Sequence, residues 1–234
     1  WLAKGHMYLG TSPYLCINRN TNNALVMKIQ GRTFFVTGAA SGLGHATARK
    51  LAGAGANVLM VDVDADRGAA NAEAIGPAAH FVKTDVTSES EVRVAIELAL
   101  SEFGPVYGAI NCAGVVLGRR TVGRKGAHDL ESFERIIRIN LVGTFNVIRL
   151  TAEAMATNDP VENDERGVIV NTASVAAYDG QIGQAAYSAS KGGVAGMTLP
   201  IARDLSRDGV RVCTILPGLF KTPLFEGLPE EAVK

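Results

Sequence analysis

The stretch Arg32-Thr33-Phe34-Phe35-Val36-Thr37-Gly38-Ala39-Ala40-Ser41-Gly42-Leu43-Gly44 passes from an apolar strand into a glycine turn, and Ala46, Ala48, Leu51 and Ala52 continue it as a helix. Glycines at such a junction let the backbone turn tightly. They also let an anionic group approach the free amides at the positive end of the helix dipole. Glycines are equally the default residues of any tight turn, so the context has to decide between these uses.

Working outward, short apolar runs near 32 to 37, 57 to 62, 79 to 83, 106 to 111, 167 to 173 and 210 to 215 alternate with longer amphipathic segments. That alternation predicts right-handed βαβ crossovers and a parallel sheet, and strands that are apolar throughout are expected where helices cover both faces. The predicted class is α/β, a doubly wound Rossmann-type sheet. One long helix is expected over about 130 to 157, where Phe133, Ile136, Ile137, Asn140 and Leu141 fall at helical spacing. Another is expected over about 185 to 206, with Pro200 kinking it near Gly196.

The second strand, Asn57 to Val61, ends in Asp62, at the distance downstream where a carboxylate accepts hydrogen bonds from adenosine ribose hydroxyls. Asp62 would also repel a 2′-phosphate. Neither the position before Gly42 nor the one after Asp62 holds Arg or Lys, so NAD is favoured over NADP, although Arg67 could soften the preference. Asp85 and Val86 after the third strand, and Asn111-Cys112-Ala113-Gly114 after the fourth, lie beyond the carboxyl ends of strands, where ligands bind in open α/β sheets. Taken singly, each is ordinary turn chemistry.

The fifth strand leads to Ser174, and thirteen residues later comes Tyr187-Ser188-Ala189-Ser190-Lys191 at a helix start. Tyr187 and Lys191, four apart, share a helix face, so the ammonium is expected to lower the phenol pKa and make tyrosine a usable acid and base. Taken with Pro217-Gly218, the glycine turn, the Asn-x-Ala-Gly segment and the Ser and Tyr-x-x-x-Lys residues make the chain resemble the short-chain dehydrogenase/reductase family over residues 30 to 225. The runs Gly167 to Ala177, Gly183 to Gly193 and Pro217 to Phe220 bring it nearest the branch acting on 3-hydroxyacyl-CoA and, in some members, on hydroxysteroids.

The resemblance implies a strand order 3-2-1-4-5-6 with the family's final strand missing. It also implies an oxidoreductase interconverting a secondary alcohol and a ketone with NAD. Tyr187 would be the general acid and base, Ser174 would hold the substrate oxygen, Lys191 would tune Tyr187 and bind the nicotinamide ribose, and Asn140 would fix a proton-relay water. Gly38, Ser41, Gly42, Leu43, Gly44, Asp62, Asp85, Val86, Asn111, Cys112, Ala113, Gly114, Pro217, Gly218, Phe220 and Thr222 would join Tyr187 and Lys191 against the cofactor. Phe220 and Thr222 would lie near the carboxamide, and Gln181 and Gln184 would face substrate. A homotetramer is implied as well. The alternatives are a 3-oxoacyl carrier reductase and a non-catalytic scaffold, since animal relatives also serve in a mitochondrial tRNA-processing complex.

Composition bounds the rest. The 234 residues are 47% hydrophobic, and their 23 cationic and 23 acidic side chains balance, which gives no broad attraction to nucleic acid or membrane. No apolar run reaches the ~20 residues of a bilayer span. Cys16, Cys112 and Cys213 are an odd set, and the four histidines lack zinc-site spacing, so a reducing compartment and no metal are expected. These features suit a soluble protein of the cytoplasm or mitochondrial matrix. Residues 1 to 26, rich in Asn and free of acids, read as a leader, tag or disordered segment before a single domain over 27 to 234 that ends early for the family.

Overall fold

The computed structural model describes residues 27–124 and 126–220, so the predicted leader and Thr222 lie outside the described residues. Six strands form one parallel sheet: β1 (Thr33–Thr37), β2 (Asn57–Asp62), β3 (Ala79–Lys83), β4 (Val106–Asn111), β5 (Gly167–Thr172) and β6 (Val210–Ile215). Their spatial order is β3-β2-β1-β4-β5-β6 and every neighbouring pair is parallel, as expected of a doubly wound sheet. The chain reverses direction across the sheet between β1 and β4, which opens a crevice at their carboxyl ends.

Side chains alternate between the two faces. Phe35, Leu59, Val61, Ala109 and Ile169 pack against α3 (Glu89–Phe103) and α5 (Thr144–Ala156). Phe34, Val36, Val58 and Met60 pack against α1 (Gly42–Gly53) and α2 (Ala65–Ile75). Phe35, Val36, Leu59 and Met60 are fully buried, and at about 1.5–3 kcal/mol for each large apolar side chain this two-sided burial holds the sheet together. A register shift between Thr33 and Phe34 makes the β1–β4 ladder irregular at its start.

The long helix expected over 130 to 157 is divided. It consists of α4 (Leu130–Ile137), a π-helical segment Arg138–Gly143, and α5. The wider turn includes Asn140, which is fully buried with partners on other elements. The second long helix, α6, runs from Ala185 to Asp204 with Pro200 inside it and then tightens into a 3₁₀ turn at Leu205–Asp208. A short antiparallel ladder, Val122–Gly123 with Gly126–Ala127, was not expected.

Candidate active site

Beyond the carboxyl ends of the strands lies one cleft of about 690 Å³ that reaches from Ser41 and Asp62 to Ser174 and Tyr187. Its nucleotide-facing end is shaped largely by backbone. Gly38 has φ +64, and a Cβ there would lie 2.8 Å from Ala113 N; a Cβ on Gly44 would collide with Gly38 O. Thr37 Oγ1 accepts from Cys112 N and Ala113 N, both at 3.0 Å, which ties the β1 and β4 ends together. Ser41 caps α1 without a side-chain hydrogen bond, and no acidic residue occupies the first turn. The first amides of α1 and the positive end of its dipole therefore remain available to an anion.

Asp62 stands at the end of β2, where Oδ2 accepts from Ala40 N at 3.0 Å and Oδ1 from Asp64 N at 3.1 Å. Each oxygen keeps acceptor capacity for another donor. Among the described residues no cation pairs with Asp62; Arg67 pairs instead with Asp64, at 3.4 Å. Asp85 and Val86 line the same cleft, and so do Cys112, Ala113, Gly114, Pro217, Gly218 and Phe220.

Asn111 does not line it. The side chain is buried beneath the floor, where Nδ2 donates to Asn171 Oδ1 at 2.9 Å across β4 and β5 and Oδ1 has no partner. The side chain thus joins two strands, meeting that of Asn171, its register partner on β5.

At the other end, Ser174 follows β5 in extended conformation, and its Oγ accepts from Ala176 N at 3.2 Å. Tyr187 and Lys191 rise from the first turns of α6, with Nζ of Lys191 5.7 Å from the Tyr187 ring centroid. Lys191 is 5% exposed and donates to Thr172 O at 2.7 Å, leaving two protons for other acceptors. Burial brings its ammonium down to about 8, against a smaller opposing effect of Cys112.

The predicted lowering of the Tyr187 phenol is corrected by the structure. Burial pushes it up, and hydrogen bonding to Ser174 offsets only part of the rise. The ammonium lies over the ring and bonds to Thr172, so desolvation wins over charge in this state.

Asn140 sits behind the cleft wall. Its Oδ1 accepts from Val115 N at 2.8 Å, and its Nδ2 donates to Val115 O at 2.9 Å and Ser190 Oγ at 3.1 Å. Its backbone oxygen accepts from Thr144 Oγ1 at 2.7 Å. Gln181 and Gln184 line the far end, where Gln184 Oε1 accepts from Gln181 N at 3.0 Å. Thr172, Arg135, Ile139 and Asp179 also line the cleft and were not singled out from sequence. Arg135 and Ile139 are four apart, and that spacing was the signal available.

A nicotinamide dinucleotide fits these residues: an anion-accepting helix start, a carboxylate with no cation paired to it among the described residues at one end, and a buried lysine with unused donors at the other. Its bound ring would supply the hydride acceptor or donor. Residues 32–232 match the family model described as short chain dehydrogenase. The chain is 52% identical to human 3-hydroxyacyl-CoA dehydrogenase type-2 over 210 residues, 89% of this chain and 80% of that one. It is 54% identical to the Drosophila melanogaster protein of the same name over 205 residues, 87% of this chain and 80% of that one. A crystal structure of 3-hydroxyacyl-CoA dehydrogenase type-2 from Mycobacterium avium superposes with a TM-score of 0.82 at 45% identity, covering 88% of this chain and 81% of that one. The chain belongs to the short chain dehydrogenase family and is an oxidoreductase that uses a nicotinamide cofactor.

Proposed function

We propose that the chain is an NAD-dependent dehydrogenase that interconverts 3-hydroxyacyl-CoA and 3-oxoacyl-CoA, with hydroxysteroids as a second substrate class. The observation that carries this reading is the cleft itself, which has Asp62 at one end and Ser174, Tyr187 and Lys191 together at the other. The relatives' shared name supports the acyl-CoA substrate over a carrier-linked one, and the complete catalytic set argues against a purely scaffolding role.

In this reading the Tyr187 oxygen takes the proton of the substrate hydroxyl during oxidation and returns it during reduction. Ser174 donates to the same substrate oxygen and holds it in line. Lys191 keeps its charge beside the phenol and gives its unused donors to the nicotinamide ribose. Asn140 acts from behind, holding the Val115 backbone on one side and Ser190 on the other. Asp62 accepts from the adenosine ribose and disfavours a 2′-phosphate, which supports NAD.

Steady-state turnover with NAD tests the substrate class on a panel of short and branched 3-hydroxyacyl-CoA, a hydroxysteroid and a carrier-linked 3-hydroxyacyl substrate. Preference for the carrier-linked substrate would overturn the acyl-CoA reading. Self-association into a tetramer is supported by Val142 and Phe145 of the π-helical segment and α5, and by Leu199 of α6, which are 50%, 47% and 47% exposed. Sedimentation as a fully active monomer at micromolar concentration would rule it out.

A further inference from the structure

We propose that Asn146 and Arg149 of α5 brace the loop carrying Asp85 and Val86, so that Arg149 is a positioning residue for the adenosine half of the cofactor. This rests on the reading above that the cofactor lies against Asp85 and Val86, with its adenosine at the Asp62 end of the cleft. Val86 lines the cleft, and its carbonyl accepts from Asn146 Nδ2 at 2.8 Å. Asn146 is 7% exposed, so without that donor the Val86 oxygen would face the interior unpaired.

The direction of the Asn146 amide matters, because only its NH₂ can donate to Val86 O. Arg149 sets that direction. Its Nε and one terminal nitrogen reach Asn146 Oδ1 at 3.2 and 2.8 Å. A guanidinium has donors and no acceptor, so the amide oxygen must turn toward it and the amide nitrogen toward Val86. Arg149 is anchored in turn by Glu89 at 2.6 Å, and Glu89 also receives Arg93 at 3.0 Å. The two arginines hold the Glu89 carboxyl below its usual range, Arg149 more than Arg93.

The loop is clamped on its other flanks as well. Glu91 accepts from Asp85 N at 2.8 Å, and a Cβ on Gly143 would lie 2.7 Å from Val86 Cγ2. The π-helical segment and α5 therefore fix the side chain and the carbonyl of Val86, while α3 fixes the peptide before it. Arg149 is at the edge of this brace rather than in the core, with its side chain 38% exposed and that of its anchor Glu89 52%, so it can be altered with little disturbance of the core.

The test is titration of NADH and of ADP-ribose, which lacks nicotinamide, into wild type, Arg149→Met, Arg149→Lys and Asn146→Asp, with melting temperature as the control for folding. Arg149→Met and Asn146→Asp are expected to weaken both ligands by the same factor, about fivefold, the loss of one hydrogen bond's worth of order. Arg149→Lys keeps one donor and should recover part of the affinity. Unchanged ADP-ribose binding in both Arg149→Met and Asn146→Asp, or weakening of NADH alone, would overturn the brace. Wild-type protein that fails to bind ADP-ribose would overturn the nucleotide reading and the brace with it.

Discussion

The Gly38-to-Gly44 turn and the Tyr187-to-Lys191 segment both open a helix at the carboxyl edge of the sheet, but they are made of different material. At the first, the chemistry is in the backbone: a left-handed Gly38, a Gly44 with no room for a Cβ, and amides left free by an uncapped Ser41. At the second it is in side chains, a phenol and an ammonium whose pKa values burial moves in opposite directions. One end is therefore sensitive to added atoms and the other to removed ones. Substitutions that separate folding, nucleotide binding and turnover should tell the two ends apart.

The largest expected effect is at the side-chain end. Tyr187→Phe keeps the ring and removes the proton carrier, so turnover should fall about 1000-fold while the melting temperature and NADH dissociation constant stay close to wild type. A variant keeping a tenth of wild-type turnover would point to another acid. The backbone end should respond in the opposite way. Gly44→Ala forces a methyl into Gly38 O, and we expect a loss of about 2–3 kcal/mol of stability together with loss of NADH binding. Denaturant unfolding measures the first and titration the second. Wild-type stability in Gly44→Ala would erase the contrast between the two ends.

What could be read from the sequence divides along similar lines. The six strands were legible because apolar runs and glycine punctuation are local signals, and so was the pairing of Tyr187 with Lys191 on one helix face; the order of the strands came from the family resemblance. The π-helical segment was not legible: Phe133, Ile136, Ile137, Asn140 and Leu141 fit an unbroken helix, and the extra residue in the turn goes with contacts of Asn140 to Val115 and Ser190, 25 and 50 residues away. The side-chain pairing of Asn111 was not legible for a related reason, since its partner Asn171 is on the neighbouring strand 60 residues on. The direction of the Tyr187 shift was missed because spacing shows that a charge is near, whereas desolvation depends on everything else packed around the phenol.

That shift supplies a pH test of the catalytic end. Burial raises the phenol, so at neutral pH Tyr187 is protonated and ready to donate. Oxidation requires the ionised phenol; its kcat/KM should climb with pH, by up to about tenfold per unit below the pKa of the group, while reduction should not. Lys191, brought down to about 8, loses its support for the phenolate as it deprotonates, so the climb should flatten above that value. A profile already flat by about pH 7 would mean that the bound cofactor reverses the burial effect, or that Tyr187 is not the base.

The smallest expected effect returns to the nucleotide end and to the one place there where a side chain decides. Asp62 accepts from two backbone amides, Ala40 N and Asp64 N, so it both shapes the turn and presents charge to the cleft. A 2′-phosphate would have to approach that carboxylate with no cation paired to it among the described residues, and a preference of about tenfold for NAD over NADP, roughly 1.4 kcal/mol, is expected from dissociation constants. Asp62→Asn retains an oxygen for one amide and removes the charge. It should narrow the preference to within about threefold, mainly by improving NADP binding, because repulsion is relieved while the ribose loses only part of its acceptor. If Asp62→Asn instead weakens both cofactors equally and leaves their ratio unchanged, the carboxylate is a structural support of the Ala40 turn. The nucleotide end would then be made of backbone throughout.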